Sequence, residues 1–171
     1  MKGIDIGRRH ALAASTLALV PGLRATAGVV PDGDFAYEIR RTKEEWRAAL
    51  TDQEYAVLRL GGTEPRHSSE LRNETRDGTY RCRGCELAVY AASWKAQVDK
   101  GWVFFEHAEP NSVLTAIDGP VAEYGQAEMD TSVAMMEVHC RRCGSHLGHY
   151  VPVDGRNLHC INGLSLRFEP G

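Results

Sequence analysis

His139-Cys140-Arg141-Arg142-Cys143-Gly144-Ser145-His146-Leu147-Gly148-His149, followed shortly by His159-Cys160-Ile161-Asn162, is the stretch whose reading decides the fold. Cys140 and Cys143 have the spacing of a metal knuckle, and Cys82 with Cys85 repeats it upstream. The chain has five cysteines, so Cys160 stands apart from the two pairs. Two C-x-x-C turns supply four thiolates, the donor set that a tetrahedral zinc ion takes in structural sites. Gly144 directly follows Cys143, where such a turn needs a residue tolerant of positive φ. The span from Cys85 to Cys140 exceeds that of a compact zinc ribbon, so the ion would staple distant hairpins. Two other uses of these thiols are open. Cysteines of exported proteins often pair as disulfides, and a C-x-x-C can be a redox pair, although no βαβ pattern surrounds either one. One structural zinc on Cys82, Cys85, Cys140 and Cys143 is the expectation.

Cys160 carries the second question. Side chains alternate on a strand, so Leu158, Cys160 and Asn162 share a face. A lone cysteine there is either a small buried hydrophobe or a thiolate nucleophile assisted by a base, and spacing does not choose between them. His146 and His149 are candidate assistants. Three apart, they face opposite sides of an ideal strand, so one is structural unless the strand bends at Gly148.

Upstream, Thr79–Cys82 and Glu86–Tyr90 read as strands flanking the first knuckle. Gly101–Phe105 is a short apolar-aromatic run, Asn111–Gly125 is mixed with a turn at Asp118-Gly119-Pro120, and Ser132–Cys140 resumes the strand pattern. His146–Val151, Asn157–Asn162 and Leu164–Phe168 complete it. Before the strands, Thr42-Lys43-Glu44-Glu45 and Thr51-Asp52-Gln53-Glu54 are capping boxes that predict two short helices, the second ended by Gly61-Gly62. Trp46, Ala49 and Leu50 would line the first, and Tyr55, Leu58 and Leu60 the second. Thr63–Gly78 reads as a surface loop. Helices followed by many short antiparallel strands give a β-dominated α+β domain, here residues 41–171 after a linker at 28–40.

Residues 1–27 read differently. Arg8-Arg9, the apolar run Ala11–Val20 and the small residues Ala25-Thr26-Ala27 form a basic, apolar, small-residue succession, the mark of an export signal. The paired arginines point to the twin-arginine route and a periplasmic destination. The alternatives are an amphipathic helix or an anchor, although the apolar run falls short of the roughly 20 residues a span requires. Cleavage after Ala27 would remove Lys2, Arg8, Arg9, Arg24 and Asp5, taking the net charge from −3 to −6. A chain this acidic is not expected to bind nucleic acid or anionic lipid.

Taken together, these motifs resemble the methionine-R-sulfoxide reductases. The likeness runs from about Tyr37 to Phe168. It is carried by Thr42–Trp46, Leu50-Thr51, Gly61-Gly62-Thr63-Glu64, Tyr80–Cys85, Gly101-Trp102, Cys140–His149 and Cys160–Phe168. The resemblance implies two antiparallel sheets with the helices at the N-terminal end, and structural zinc on the four paired cysteines. It makes Cys160 the nucleophile, with His146, His149 and Asn162 in the active site. It puts Trp102 on the substrate methyl group, with Phe105 and, one residue out of step, Asp154 also at the substrate. Oxidised proteins or peptides are the implied substrates, a thioredoxin-like dithiol the reductant, and a monomer the working form.

The chemistry suits these residue types. A thiol of pKa about 8.5 needs help to ionise at neutral pH, and histidine can also protonate the departing oxygen. Three departures stand out. Val103 and Phe104 replace the family's Pro-Ser after the tryptophan. Leu158 replaces its arginine two residues before the nucleophile. Lys100 stands where many members carry a recycling cysteine, so the sulfenic acid on Cys160 is expected to meet an external thiol directly. Two other functions compete: a binding module that keeps the stapled fold without catalysis, and a thiol-disulfide exchanger using the C-x-x-C pairs.

Overall fold

The computed structural model describes residues 35–118 and 135–171, all within one unit, Phe35–Gly171. The export signal read at 1–27, the first part of the linker and the turn after Asp118 lie outside the described residues.

Both capping boxes form. The Thr42 side chain accepts from Glu45 N while Thr42 N donates to the Glu45 carboxylate, opening α1 (Lys43–Ala49). Thr51 and Glu54 do the same for α2 (Asp52–Leu60). Gly61 closes α2 at φ 69°, the left-handed turn glycine adopts without Cβ strain. The buried faces differ in part from the expected ones. Trp46, Tyr55, Val57 and Leu58 point inward, while Ala49 and Leu60 are exposed. Leu60 is in the last turn, already past the face that α2 presents to the sheet.

Nine strands follow among the described residues, making two antiparallel sheets. The small one has the order β2 (Ala88–Ala91), β1 (Gly78–Cys82), β9 (Leu166–Pro170). The large one runs β3 (Lys95–Ala96), β4 (Val103–Phe105), β8 (Arg156–Ile161), β7 (His146–Val153), β6 (Met135–Cys140), β5 (Val113–Asp118). This is the expected architecture, with β3 as an added two-residue edge. Lys95 holds that edge to the Thr63–Gly78 loop, its Nζ donating to the carbonyls of Leu71, Arg72 and Glu74 at 2.6–2.8 Å.

The two faces of the large sheet bury different things. On one, Val103, Phe105, Ile161, Leu147 and Val138 meet Tyr80, Tyr90, Val89 and Trp46 in the main core. Phe105 stacks on Tyr90 with ring centroids 4.2 Å apart. On the other, Phe104, Trp102, Leu158, Val151, Met135 and Cys160 form a separate apolar cluster. Strand alternation sends neighbours apart, so Cys160 and His159 leave β8 on opposite sides.

His159 has a measurable consequence on the core side. Its Nδ1 lies 3.1 Å from the hydroxyl of buried Tyr90, and burial, aided by His107, pushes its pKa down from 6.5 to about 4. The folded protein therefore binds fewer protons than the unfolded chain between pH 6.5 and 4. This contribution to stability is complete above pH 6.5 and lost as pH falls toward 4. Partial exposure reduces it to about 1–2 kcal/mol. Thermal melts from pH 7 to 4 should show that decline, and His159→Gln should flatten it.

Candidate functional site

Each knuckle continues a strand into a tight turn. β1 ends at Cys82, whose carbonyl accepts from Cys85 N and Glu86 N. β6 ends at Cys140, whose carbonyl accepts from Gly144 N at 2.8 Å. Glu86 at φ 61° and Gly144 at φ 67° occupy equivalent places, so one turn tolerates a side chain in the left-handed region. The other could not, since a Cβ on Gly144 would meet the Tyr37 ring at 2.8 Å.

These turns bring four sulfurs together from the two sheets. Cys82 Sγ lies 3.8 Å from Cys143 Sγ, and Cys85 Sγ lies 3.4 Å from Cys140 Sγ. All four are within 4.8 Å of one another, buried and without disulfides. A tetrahedral ion with sulfur ligands at about 2.3 Å needs sulfur separations near 3.8 Å, so the cluster is consistent with a structural metal site. The crowding also separates the thiols electrostatically. Hydrogen bonding from Cys140 holds the Cys143 thiol far below its usual range, and the shared hydrogen bonds push Cys82 and Cys140 up. Cations surround the cluster. Arg59 donates to the Cys143 carbonyl at 3.1 Å and Arg142 to the Cys85 carbonyl at 3.3 Å. The Arg59 guanidinium also lies over the Trp46 ring, so the helices shield the cluster as well as cap the sheet.

Cys160 is on the other face of the large sheet. In the strand register it stands opposite His149 of β7 on one side and Phe104 of β4 on the other. His149 in turn faces Glu137 of β6. One level of the sheet therefore carries Phe104, Cys160, His149 and Glu137 in a row. A register shift between Val138 and His139 breaks strand alternation and turns His146 to this face as well. The His146 and His149 rings lie 5.2 Å apart, edge to face, which settles the bend left open by their spacing. Both are buried, at 4 % and 5 % exposure.

Gly148 permits this. A Cβ there would run into the Cys160 carbonyl and come within 2.9 Å of Ile161 Cα. Gly148→Ala should force β7 away from β8 at the level of Cys160. We expect a loss of roughly 2–4 kcal/mol in denaturant unfolding, with activity falling further than the folded fraction does.

Cys160 is 7 % exposed, and it borders a cavity of about 500 Å3 walled by Trp102, Phe104 and Val151, with Arg66, Lys100 and Asp154 at its rim. The Trp102 indole donates to the Glu64 carbonyl at 3.1 Å, and the Arg66 guanidinium lies 5.1 Å from its ring centre. Asp154 sits at the β7–β8 turn, 3.6 Å from Lys100 Nζ. Phe105, expected at the substrate, is instead in the main core against Tyr80 and Tyr90, because its strand places it on the far face. Phe104 takes the cavity position. Asn162 is near but already engaged: its Oδ1 accepts from Glu64 N and its Nδ2 donates to the Leu147 carbonyl.

Two residues of the site went unread in the sequence. Glu64 is 2 % exposed, and its carboxylate accepts from Gly163 N and Leu164 N at 2.7 and 2.8 Å. It thus ties the loop carrying Trp102's partner carbonyl to the segment after Cys160. Burial raises its pKa, against those two hydrogen bonds. Its place in Gly61-Gly62-Thr63-Glu64 was visible, but nothing local gave its partners, a hundred residues on. Glu137, bonded to His146, has no sequence signal beyond its place on a strand.

A thiol set beside an imidazole at a cavity wall, on a two-sheet fold closed by four further cysteines, is an arrangement that suits a cysteine-dependent enzyme. Residues 50–170 match the SelR domain. A peptide methionine sulfoxide reductase MsrB from Leifsonia xyli is 35 % identical over 143 residues, covering 81 % of this chain and 96 % of its own. One from Pseudomonas putida is 36 % identical over 139 residues, covering 78 % and 97 %. Peptide methionine sulfoxide reductase B8 of Arabidopsis thaliana is 34 % identical over 149 residues, covering 84 % and 93 %. The chain belongs to the SelR family of peptide methionine sulfoxide reductases.

Proposed function

We propose that this protein reduces methionine-R-sulfoxide in oxidised proteins or peptides, with Cys160 as the nucleophile. The observation that supports this best is the placement of Cys160 beside His149 and at the wall of a cavity that also holds Trp102 and Phe104.

In this reading the Cys160 thiolate attacks the sulfoxide sulfur while a proton reaches the sulfoxide oxygen. His149 lies closest in the register to deliver it, with His146 behind. The sulfur–sulfur bond formed by the attack and the sulfur–oxygen bond of the substrate then both break as the oxygen passes to Cys160, so methionine leaves and Cys160 is left as a sulfenic acid. The substrate sulfur gains two electrons and Cys160 loses two. Two thiols of an external dithiol then restore Cys160, releasing water and a disulfide. Trp102 and Phe104 hold the methyl end by shape and dispersion. Asn162 and Glu64 act as ties that fix the floor of the cavity, and Asp154 stands at its entrance. Zinc on Cys82, Cys85, Cys140 and Cys143 would lock the sheets together, since thiolates in this arrangement suit that ion. The leader at 1–27 supports export to the periplasm in folded form, which would let the ion load before transport.

The test is incubation of the reduced protein with peptides containing R- or S-sulfoxide and a dithiol. Loss of the R form alone supports the reading. Retention of both forms by a zinc-loaded, folded protein would overturn it in favour of a binding module.

A further inference from the structure

Glu137 is on β6, one strand beyond the histidines, with its side chain a quarter exposed. Its Oε1 lies 2.6 Å from His146 Nδ1 and 3.8 Å from His139 Nδ1. Those two contacts, His139 first, hold the carboxyl far below its usual range, so it is an anion and can only accept. Nδ1 of His146 must then carry the hydrogen. That leaves Nε2, buried and with no hydrogen-bond partner among the described residues, as the nitrogen with capacity to spare. A buried ring nitrogen without a partner is costly in a merely structural histidine. It makes sense where something transient comes to it. The next ring is His149, and the next group Cys160, so carboxylate, imidazole, imidazole and thiol follow one another across β6, β7 and β8.

We propose that Glu137 is a positioning residue for the sulfoxide reduction. It holds His146 in the Nδ1–H tautomer and in one ring orientation, so that Nε2 is the nitrogen left to exchange a proton. Glu137 itself touches no substrate. A carboxylate behind a working imidazole fixes which nitrogen is available and steadies the ring's charge when a proton arrives. The kinetic part rests on the function proposed above; the tautomer part does not.

The experiment uses the full chain and has two readouts. Long-range proton–nitrogen NMR of the imidazoles, with His146 signals assigned by their loss in His146→Asn, should show Nδ1–H and a bare Nε2 in the wild type. In Glu137→Ala that population should shift toward Nε2–H. Single-turnover reduction of a short methionine-R-sulfoxide peptide should slow roughly 10- to 100-fold in Glu137→Ala, with KM changed less than about twofold. Glu137→Gln, whose amide oxygen can still accept from Nδ1, should keep the wild-type tautomer and recover part of the rate. It also serves as the decisive variant should Glu137→Ala fail to fold. An Nε2–H tautomer in the wild type overturns the proposal, and so does a wild-type rate in a folded Glu137 variant. If the wild type reduces no sulfoxide, the functional reading fails while the tautomer measurement still decides the role of Glu137.

Discussion

Cys160→Ser should abolish sulfoxide reduction, lowering turnover at least about 1000-fold, while leaving the fold and any bound metal intact. The size follows from ionisation. A thiol near pKa 8.5 is a few per cent thiolate at neutral pH before any assistance, whereas a serine hydroxyl supplies essentially no anion and does not form the sulfenic acid the cycle needs. The fold survives because the change is nearly isosteric. Cys160 belongs to the smaller apolar cluster around Phe104 and Leu158, away from the four paired cysteines in the main core. Residual wild-type activity in that variant would move the nucleophile elsewhere. A mass spectrum of the wild type after one turnover without reductant provides the companion check, with one added oxygen expected on Cys160.

The second large effect is expected from Cys143→Ser. The wild type should contain close to one zinc per chain, and the variant should contain none and lose cooperative unfolding. Structural zinc contributes about 10–16 kcal/mol in small domains, comparable to or above the 5–15 kcal/mol that holds most domains folded. The loss would be felt at both sheets, because Cys82 ends β1 of the small sheet and Cys140 ends β6 of the large one. It would also reach the active site, since β7 starts at His146, three residues after Cys143. Metal analysis and far-ultraviolet circular dichroism test this together. A folded, metal-free variant would show that the cluster is dispensable.

Much of this was legible in the sequence because its signals are local. A capping box spans four residues, a knuckle spans four, and turn chemistry sits where the chain turns. The helices, most strands and the two C-x-x-C pairs are all of that kind. What could not be read depends on partners far apart in the chain. Glu64 finds its hydrogen bonds at Gly163 and Leu164, and Glu137 finds His146 only because β6 and β7 pair with a shift. The choice between Phe104 and Phe105 was one of strand parity. The family likeness put Phe105 at the substrate, but only the pairing of β4 with β8 shows which ring shares a face with Cys160. His146 and His149 illustrate the same point from the other side. Their spacing predicted opposite faces, and an irregularity in β7 itself, where Leu147 is the extra residue opposite Val138 and His139, brought them together.

The row of Phe104, Cys160, His149 and Glu137 takes a single side chain from each of four strands. Slippage of any one strand by a residue would rotate its contribution to the opposite surface. A misassembled sheet should thus be inert instead of sluggish. The fraction of catalytically competent molecules after refolding would count, molecule by molecule, how many chains had found their correct alignment.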